Sequence, residues 1–292
     1  KRQTYDSAKH ASKYAINVSE VSFDLSKIIV RKSKVVRKLV LGVKAKLASN
    51  NVAIVSGEAQ IIDKNTVRCG EETYEGENLI LCTGSETFIP PIPGVETVNY
   101  WTHRDALDNK ELPASLAIVG GGVIGMEFAS FFNSLGVQVT VVEMLDEILG
   151  GMDKELSALL RAEYAKRGIK FLLSTKVVGL SQMEGAAVVS YENAEGSGSV
   201  VAEKLLMSVG RRPVTKGFGL ENLNLEKTER GAIRVNEKMQ TSVPGVYVCG
   251  DLTGFSLLAH TAVREAEVAV HSILGKEDAC LLYTSPSPRD RQ

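Results

Sequence analysis

Six residues concentrate the chemistry of this chain: Gly120-Gly121-Gly122-Val123-Ile124-Gly125. A GxGxxG run means little alone. Here it follows the apolar run SLAIVG, opens a helix-like stretch from Met126 to Leu135, and leads into a second apolar strand, VQVTVVE. In a strand–helix–strand setting the three glycines have separable tasks. Gly120 permits the tight turn, Gly122 lets the backbone approach a pyrophosphate, and Gly125 lets helix and strand close up. The first helical turn, at Val123 and Ile124, offers unpaired N–H groups and the positive dipole end to a phosphate.

Glu143 ends the second strand, at the ~20-residue distance from the first glycine where a carboxylate meets an adenosine ribose. It would accept hydrogen bonds from the two ribose hydroxyls and repel a 2′-phosphate. No Arg or Lys follows before Lys154, so the pattern favours NAD over NADP.

Two further segments suit a second nucleotide. CTGSETFIPPIPG (82–94) ends a strand at Thr83-Gly84 and leaves through a proline-stiffened turn. TSVPGVYVCGDLTG (241–254) puts Gly250-Asp251 at the carboxyl end of an apolar strand, where open α/β sheets bind ligands. A carboxylate there can accept a bond from a ribityl or ribose hydroxyl. Read alone, each is equally an ordinary strand end.

Other chemistries find less support. Cys69, Cys82, Cys249 and Cys280 form no Cys-x-x-Cys or Cys-x4-Cys pair, so the spacing shows neither a zinc site nor a local redox disulfide. Cys82 and Cys249 sit in strand-like runs and read as small buried hydrophobes, a usage suited to a reducing cytoplasm. His10, His103, His260 and His271 show no partner by spacing, and His260 reads as structural.

The elements that must hold these residues follow from length and pattern. The 292 residues suggest about two domains. Lys plus Arg number 34 against 35 Asp plus Glu, a balance that argues against a nucleic-acid or polyanion binder. No apolar stretch reaches the ~20 residues that a membrane span needs, and no signal peptide opens the chain.

Residues 23–48 read as one long helix, with Leu25, Ile28, Ile29, Val35, Val36, Leu39, Val40, Val43 and Leu47 on one face. Lys27, Arg31, Lys32, Lys34, Arg37, Lys38, Lys44 and Lys46 make the other, read as a solvated face. Short alternating runs follow (VAIVSG, AQIID, TVRCG, ENLILC), expected as small antiparallel strands. From Ser115 to Gly275 the alternation lengthens. Asp153 is expected to cap a helix through Arg167, ended by Gly168. Strands are expected at IKFLLS, AAVVSYE, SVVAEKLLMSVG and GVYVCGD, then a helix over 258–274 closed by Gly275.

The order TGSETFIPPIPG, GGGVIGMEFAS, VTVVE, MSVGRRPVTKGFGLE, GVYVCGDLTG and LLAHTAVREA resembles the flavoprotein disulfide reductases with two dinucleotide sites. The dihydrolipoamide dehydrogenase branch is the best match, through GRRP…GFGLE (210–221) and EMLDEILGGMD (143–153). The likeness covers essentially residues 5–279. It implies an α/β fold with two Rossmann-like domains, in which an NAD domain (113–225) interrupts an FAD domain (1–112 and 226–279). Thr83 and Gly84 would line the FAD, and Gly250-Asp251 would take its ribityl side. Leu258 and Ala259 would approach the flavin ring, where a helix dipole favours negative charge. Gly210 and Arg211 would lie near the adenine side of NAD. Glu127 would pair with a lysine beside the flavin, a lysine that falls before Lys1, and is expected buried beside the nicotinamide path.

Three family parts do not occur in this sequence: an N-terminal GxGxxG, the Cys-x4-Cys redox disulfide, and the C-terminal interface domain with its catalytic histidine. The string CLLYTSPSPRDRQ (280–292) breaks the preceding pattern and resembles the translation of a sequencing-library adapter. The expectation is therefore a piece of a longer enzyme, itself inactive. The parent would be a cytoplasmic homodimer that oxidises the lipoyl group of a 2-oxo acid dehydrogenase or glycine-cleavage complex with NAD+. An NADH oxidase, a transhydrogenase, a mercuric, glutathione or CoA-disulfide reductase, and a non-catalytic NAD-binding module are the alternatives.

Overall fold

The computed structural model describes residues 2–280; residues 281–292, which include most of the adapter-like string, lie outside the described residues. The chain divides into two compact units, one of residues 1–46 and 87–210, the other of residues 47–86 and 211–292. The boundaries anticipated from the sequence lay near 112 and 225.

The first unit is built on a five-stranded parallel sheet. Its order is Tyr100–Trp101, Lys204–Met207, Ser115–Val119, Gln138–Val142 and Lys170–Leu172. Leu116, Ala117, Ile118 and Val119 are all buried, as a strand covered on both faces requires. The helix Val123–Ser134 joins two of these strands and buries Met126, Phe128, Ala129 and Phe132 against Leu116, Ile118, Val139 and Val141. The helix Lys154–Lys166 joins the next two. Asp153 caps it by accepting from the Leu156 amide at 3.1 Å, and Gly168 turns the chain at φ +92°.

The run SVVAEKLLMSVG, expected as one strand, is two. Gly196–Ala202 belongs to an antiparallel sheet with Lys176–Met183 and Ala186–Asn193, whereas Lys204–Met207 enters the parallel sheet. Glu203 makes the corner: its amide donates to Ser115 Oγ at 3.0 Å and its carboxylate accepts from the Ala114 amide at 2.7 Å. Strand Lys176–Met183 had no forecast, because Gly179 and the polar tail Ser-Gln break its alternation.

The long helix runs Leu25–Ser49, close to expectation. Both its faces meet solvent: Val35, Val36, Leu39, Val40 and Val43 are exposed alongside the lysines. Lys32 reaches the Leu107 carbonyl and the Asp108 carboxylate. Among the described residues no helix is long and apolar enough to cross a membrane.

In the second unit Ala59–Ile61, Thr66–Cys69 and Glu72–Glu75 form an antiparallel sheet. The apolar run VAIVSG does not join it. Residues 52–57 pair with no strand among the described residues, and Val52, Ile54 and Val55 are about half exposed. Alternation suits a strand, but only a partner satisfies the backbone of one.

Leu79–Leu81 lies parallel to Val246–Val248. The second strand is buried on both faces. Val246 and Val248 pack with Ile61, Leu81, Leu220 and Leu252, while Tyr247 and Cys249 pack with Met239 and with Val268 and Ala269 of the helix Ala259–Ile273.

Candidate functional site

Each unit holds one cluster of the singled-out residues. In the first unit the glycine loop has the dimensions of a cradle. Gly120 sits at φ +105°, where a side chain is strained, and a Cβ there would lie 2.2 Å from the Ser208 carbonyl oxygen. At Gly125 a Cβ would lie 2.3 Å from the Gly120 carbonyl oxygen, so this glycine sets how closely helix meets turn. A Cβ on Gly122 would meet nothing within 4 Å. Gly122 is also the N-cap of the helix, whose first-turn amides receive no side-chain capping bond. Val123 is exposed there and Ile124 half-buried.

Glu143 closes the loop. One carboxylate oxygen accepts from the Gly121 amide at 2.5 Å, the other from the Leu145 amide at 2.8 Å. A carboxylate has about four acceptor positions, so two remain for incoming hydroxyls.

Glu127 differs from expectation. It is exposed, not buried. Gly125, Met126, Phe128, Ala129 and Phe132 form the buried side of the helix. At 100° per residue this leaves 123 and 127 together on the opposite side.

In the second unit Asp251 stands at the carboxyl end of strand Val246–Val248, next to Thr83-Gly84-Ser85 from the end of Leu79–Leu81. The Ser85 hydroxyl donates to Asp251 Oδ2 at 2.5 Å and accepts from Arg211 Nε at 2.7 Å. Arg211 also donates to the Ser85 carbonyl at 2.5 Å, and its Nε lies 3.8 Å from Asp251 Oδ2. Thr83 Oγ1 donates to the Val214 carbonyl at 2.9 Å, and the Val214 amide to the Gly84 carbonyl at 2.9 Å. Gly84 and Gly250 both take positive φ, +71° and +74°. Leu258 and Ala259, at the start of the 259–273 helix, are exposed.

The resemblance implies Gly210 and Arg211 near the adenine side of NAD. Strand Arg211–Pro213 runs beside Ser85 and Glu86, and the guanidinium turns to the Ser85–Asp251 pair; Gly210 belongs to the first unit.

Glu265 was missed. It is wholly buried, accepting from the Gly250 amide at 2.6 Å and lying 3.4 Å from Thr253 Oγ1. Burial pushes its carboxyl above the usual range, and the Gly250 amide offsets part of that push. The signal was available: Thr261, Glu265, Val268 and Ala269 are spaced on one helix face, so an acid sat among residues bound for the core.

Two of the histidines have partners that spacing did not show. His103 Nδ1 lies 3.0 Å from Thr87 Oγ1, and His271 Nδ1 lies 2.6 Å from Asp278, which Arg264 also holds. Arg264 and His271 together keep the Asp278 carboxyl low, at about 2. An open cleft of about 680 Å3 near Ile233, Gln240 and Phe255 contains none of the expected cofactor contacts.

A family model described as pyridine nucleotide-disulphide oxidoreductase matches residues 3–266. The chain belongs to that family. Among similar proteins, the dihydrolipoyl dehydrogenase of Geobacillus stearothermophilus is 35% identical over 280 residues, covering 94% of this chain and 59% of its own length. That of Acholeplasma laidlawii is 39% identical, covering 93% of this chain and 80% of its own. Among solved structures, the HOCl-induced flavoprotein disulfide reductase RclA of Escherichia coli aligns with a TM-score of 0.81 at 27% identity, over 94% of this chain and 62% of that one. The chain thus spans about three fifths of the length of the Geobacillus relative and of RclA.

Proposed function

We propose that the whole protein is an FAD-dependent dihydrolipoyl dehydrogenase, oxidising protein-borne dihydrolipoyl groups with NAD+ through a redox disulfide. The observation that supports the reading is that one chain carries two strand-end clusters of different character, the glycine loop braced by Glu143 and the Ser85–Asp251–Arg211 cluster, on a background of dihydrolipoyl dehydrogenase relatives. In this reading residues 113–225 form the NAD domain, and residues 1–112 with 226–279 contribute to the FAD domain.

The residues present fit both groups. The open space over Gly122 and the uncapped first turn suit a pyrophosphate, and Glu143 retains acceptor capacity for two ribose hydroxyls. Asp251, held by Ser85 and Arg211, offers a fixed acceptor to a ribityl hydroxyl, with Thr83, Gly84 and Gly250 giving close backbone access. Arg211, through the Ser85 hydroxyl, would keep the Asp251 carboxylate oriented. Leu258 and Ala259 would set the 259–273 helix N-terminus against the flavin ring, and exposed Glu127 would be free to pair with a lysine. When bound, FAD supplies the electron transfer between dithiol and NAD+. The reading also places the parent in the cytoplasm as a homodimer serving a 2-oxo acid dehydrogenase or glycine-cleavage complex, on the resemblance alone.

The test is an assay of the protein expressed from its uninterrupted gene. Oxidation of dihydrolipoamide with NAD+, and not NADP+, is expected. Preference for glutathione disulfide, mercuric ion or dioxygen as substrate would replace the reading with another branch of the family.

A further inference from the structure

Cys82 and Cys249 stand side by side at the carboxyl ends of two neighbouring parallel strands. Val248 is in register with Leu81, and the Cys249 amide donates to the Leu81 carbonyl at 3.1 Å, so the ladder continues into the two cysteines. Neighbouring strands lie about 4.8 Å apart, inside the ~4.4–6.8 Å range of Cα separations that a disulfide bridges. The two side chains share one face of the strand pair. Both are free thiols; Cys82 is exposed and Cys249 buried.

We propose that Cys82 and Cys249 form a thiol–disulfide redox couple, in which exposed Cys82 attacks and buried Cys249 resolves. It is distinct from the Cys-x4-Cys pair that the family resemblance implies and independent of any bound cofactor. The co-reactant is a low-molecular-weight disulfide, RSSR. The Cys82 thiolate attacks one sulfur, the S–S bond breaks, and RS⁻ leaves. Cys249 gives its proton to that thiolate, and its sulfur then attacks Cys82 Sγ, expelling the second RS⁻. In sum, two protein thiols lose two electrons and two protons, and RSSR becomes two RSH.

The division of roles follows from the surroundings. The Cys249 S–H holds the Cys82 thiol down at about 7 despite burial and Glu265 opposing it. The same bond, then burial, pushes Cys249 upward. A thiol ionised near neutrality and open to solvent is the attacking partner. Cys82 directly precedes Thr83-Gly84 and Cys249 directly precedes Gly250-Asp251, so the bond would tie the two loops that carry the second unit's cluster.

The experiment equilibrates the reduced full chain with oxidised glutathione, blocks remaining thiols with N-ethylmaleimide, and maps the peptides by mass spectrometry. A linkage of Cys82 to Cys249, with both lost to alkylation, is expected. In C249S and in C249A the glutathione adduct on Cys82 should persist, because neither variant can resolve it. In C249A, which also removes the S–H donor, the iodoacetamide reaction of Cys82 at neutral pH should slow about tenfold as the thiol returns to its ordinary range. A lasting glutathione adduct on Cys82 in the unaltered chain, an unmodified Cys82, or a linkage to Cys69 or Cys280 would overturn the proposal. The mapping of the unaltered chain decides the matter even if both variants fail to fold.

Discussion

Glu143 clamps Gly121: its carboxylate accepts the loop amide at 2.5 Å and ties the glycine turn to the end of the neighbouring strand. The residue expected to receive a ribose is thus also the brace of the loop that would receive the pyrophosphate. Affinity and loop geometry depend on one side chain, and substitutions there should change both.

Replacing Glu143 by Gln keeps an acceptor for the Gly121 amide but removes the charge. Charge-assisted bonds contribute about 1.5–3 kcal/mol, so NADH should bind about tenfold or more weakly. Discrimination against NADPH should shrink in parallel. Fluorescence titration of both nucleotides measures this, and an unchanged preference ratio would remove Glu143 from the ribose site.

Two glycines two residues apart should separate folding from binding. Gly120→Ala forces a side chain into a positive-φ position, 2.2 Å from the Ser208 carbonyl; it should cost about 1–3 kcal/mol or more and lower Tm. Gly122→Val meets open space, so Tm should hold while NADH binding falls. Thermal unfolding and nucleotide titration on the same two proteins provide the comparison.

In the second unit, Asp251→Ala should strip flavin from the whole protein, lowering the 450 nm absorbance relative to protein. Ser85→Ala should act more mildly. It removes the hydroxyl that joins Arg211 to Asp251, leaving the two charges 3.8 Å apart without their bridge. Flavin retention at full occupancy in Asp251→Ala would exclude this cluster as the ribityl contact.

Two carboxyls should give opposite pH dependences. Burial raises Glu265, so the folded chain holds that proton more tightly than the unfolded chain. Its influence makes stability fall as pH rises from the ordinary value, 4.5, through the raised one. Glu265→Gln should flatten that fall. Asp278 is lowered from 3.8 to about 2, so its contribution is present above 3.8 and disappears as pH falls toward 2. Asp278→Asn should erase that acid-side loss. Urea midpoints followed from about pH 2 to pH 8 would resolve both slopes.

The glycine loop was legible because local sequence determines it: a positive-φ turn, a close approach and a strand-end acid all leave their mark in residue type. Long-range placement left no such mark. Arg211 finds Ser85 and Asp251 only once residues 126 positions apart are brought together, and no spacing rule reaches that far. The corner at Glu203 was hidden for the same reason, since its partners, Ala114 and Ser115, lie in another element. Residues 52–57 show the converse error, in which a suitable pattern has no partner strand. Glu265 alone was visible in principle, as an acid on an apolar helix face.

That acid reaches from the middle of the 259–273 helix to the backbone of Gly250, one residue before Asp251. Glu265 thus anchors the loop from beneath: without it the buried Gly250 amide would lose its acceptor, and the turn that carries Asp251 would be loosened with no residue of the loop itself being altered.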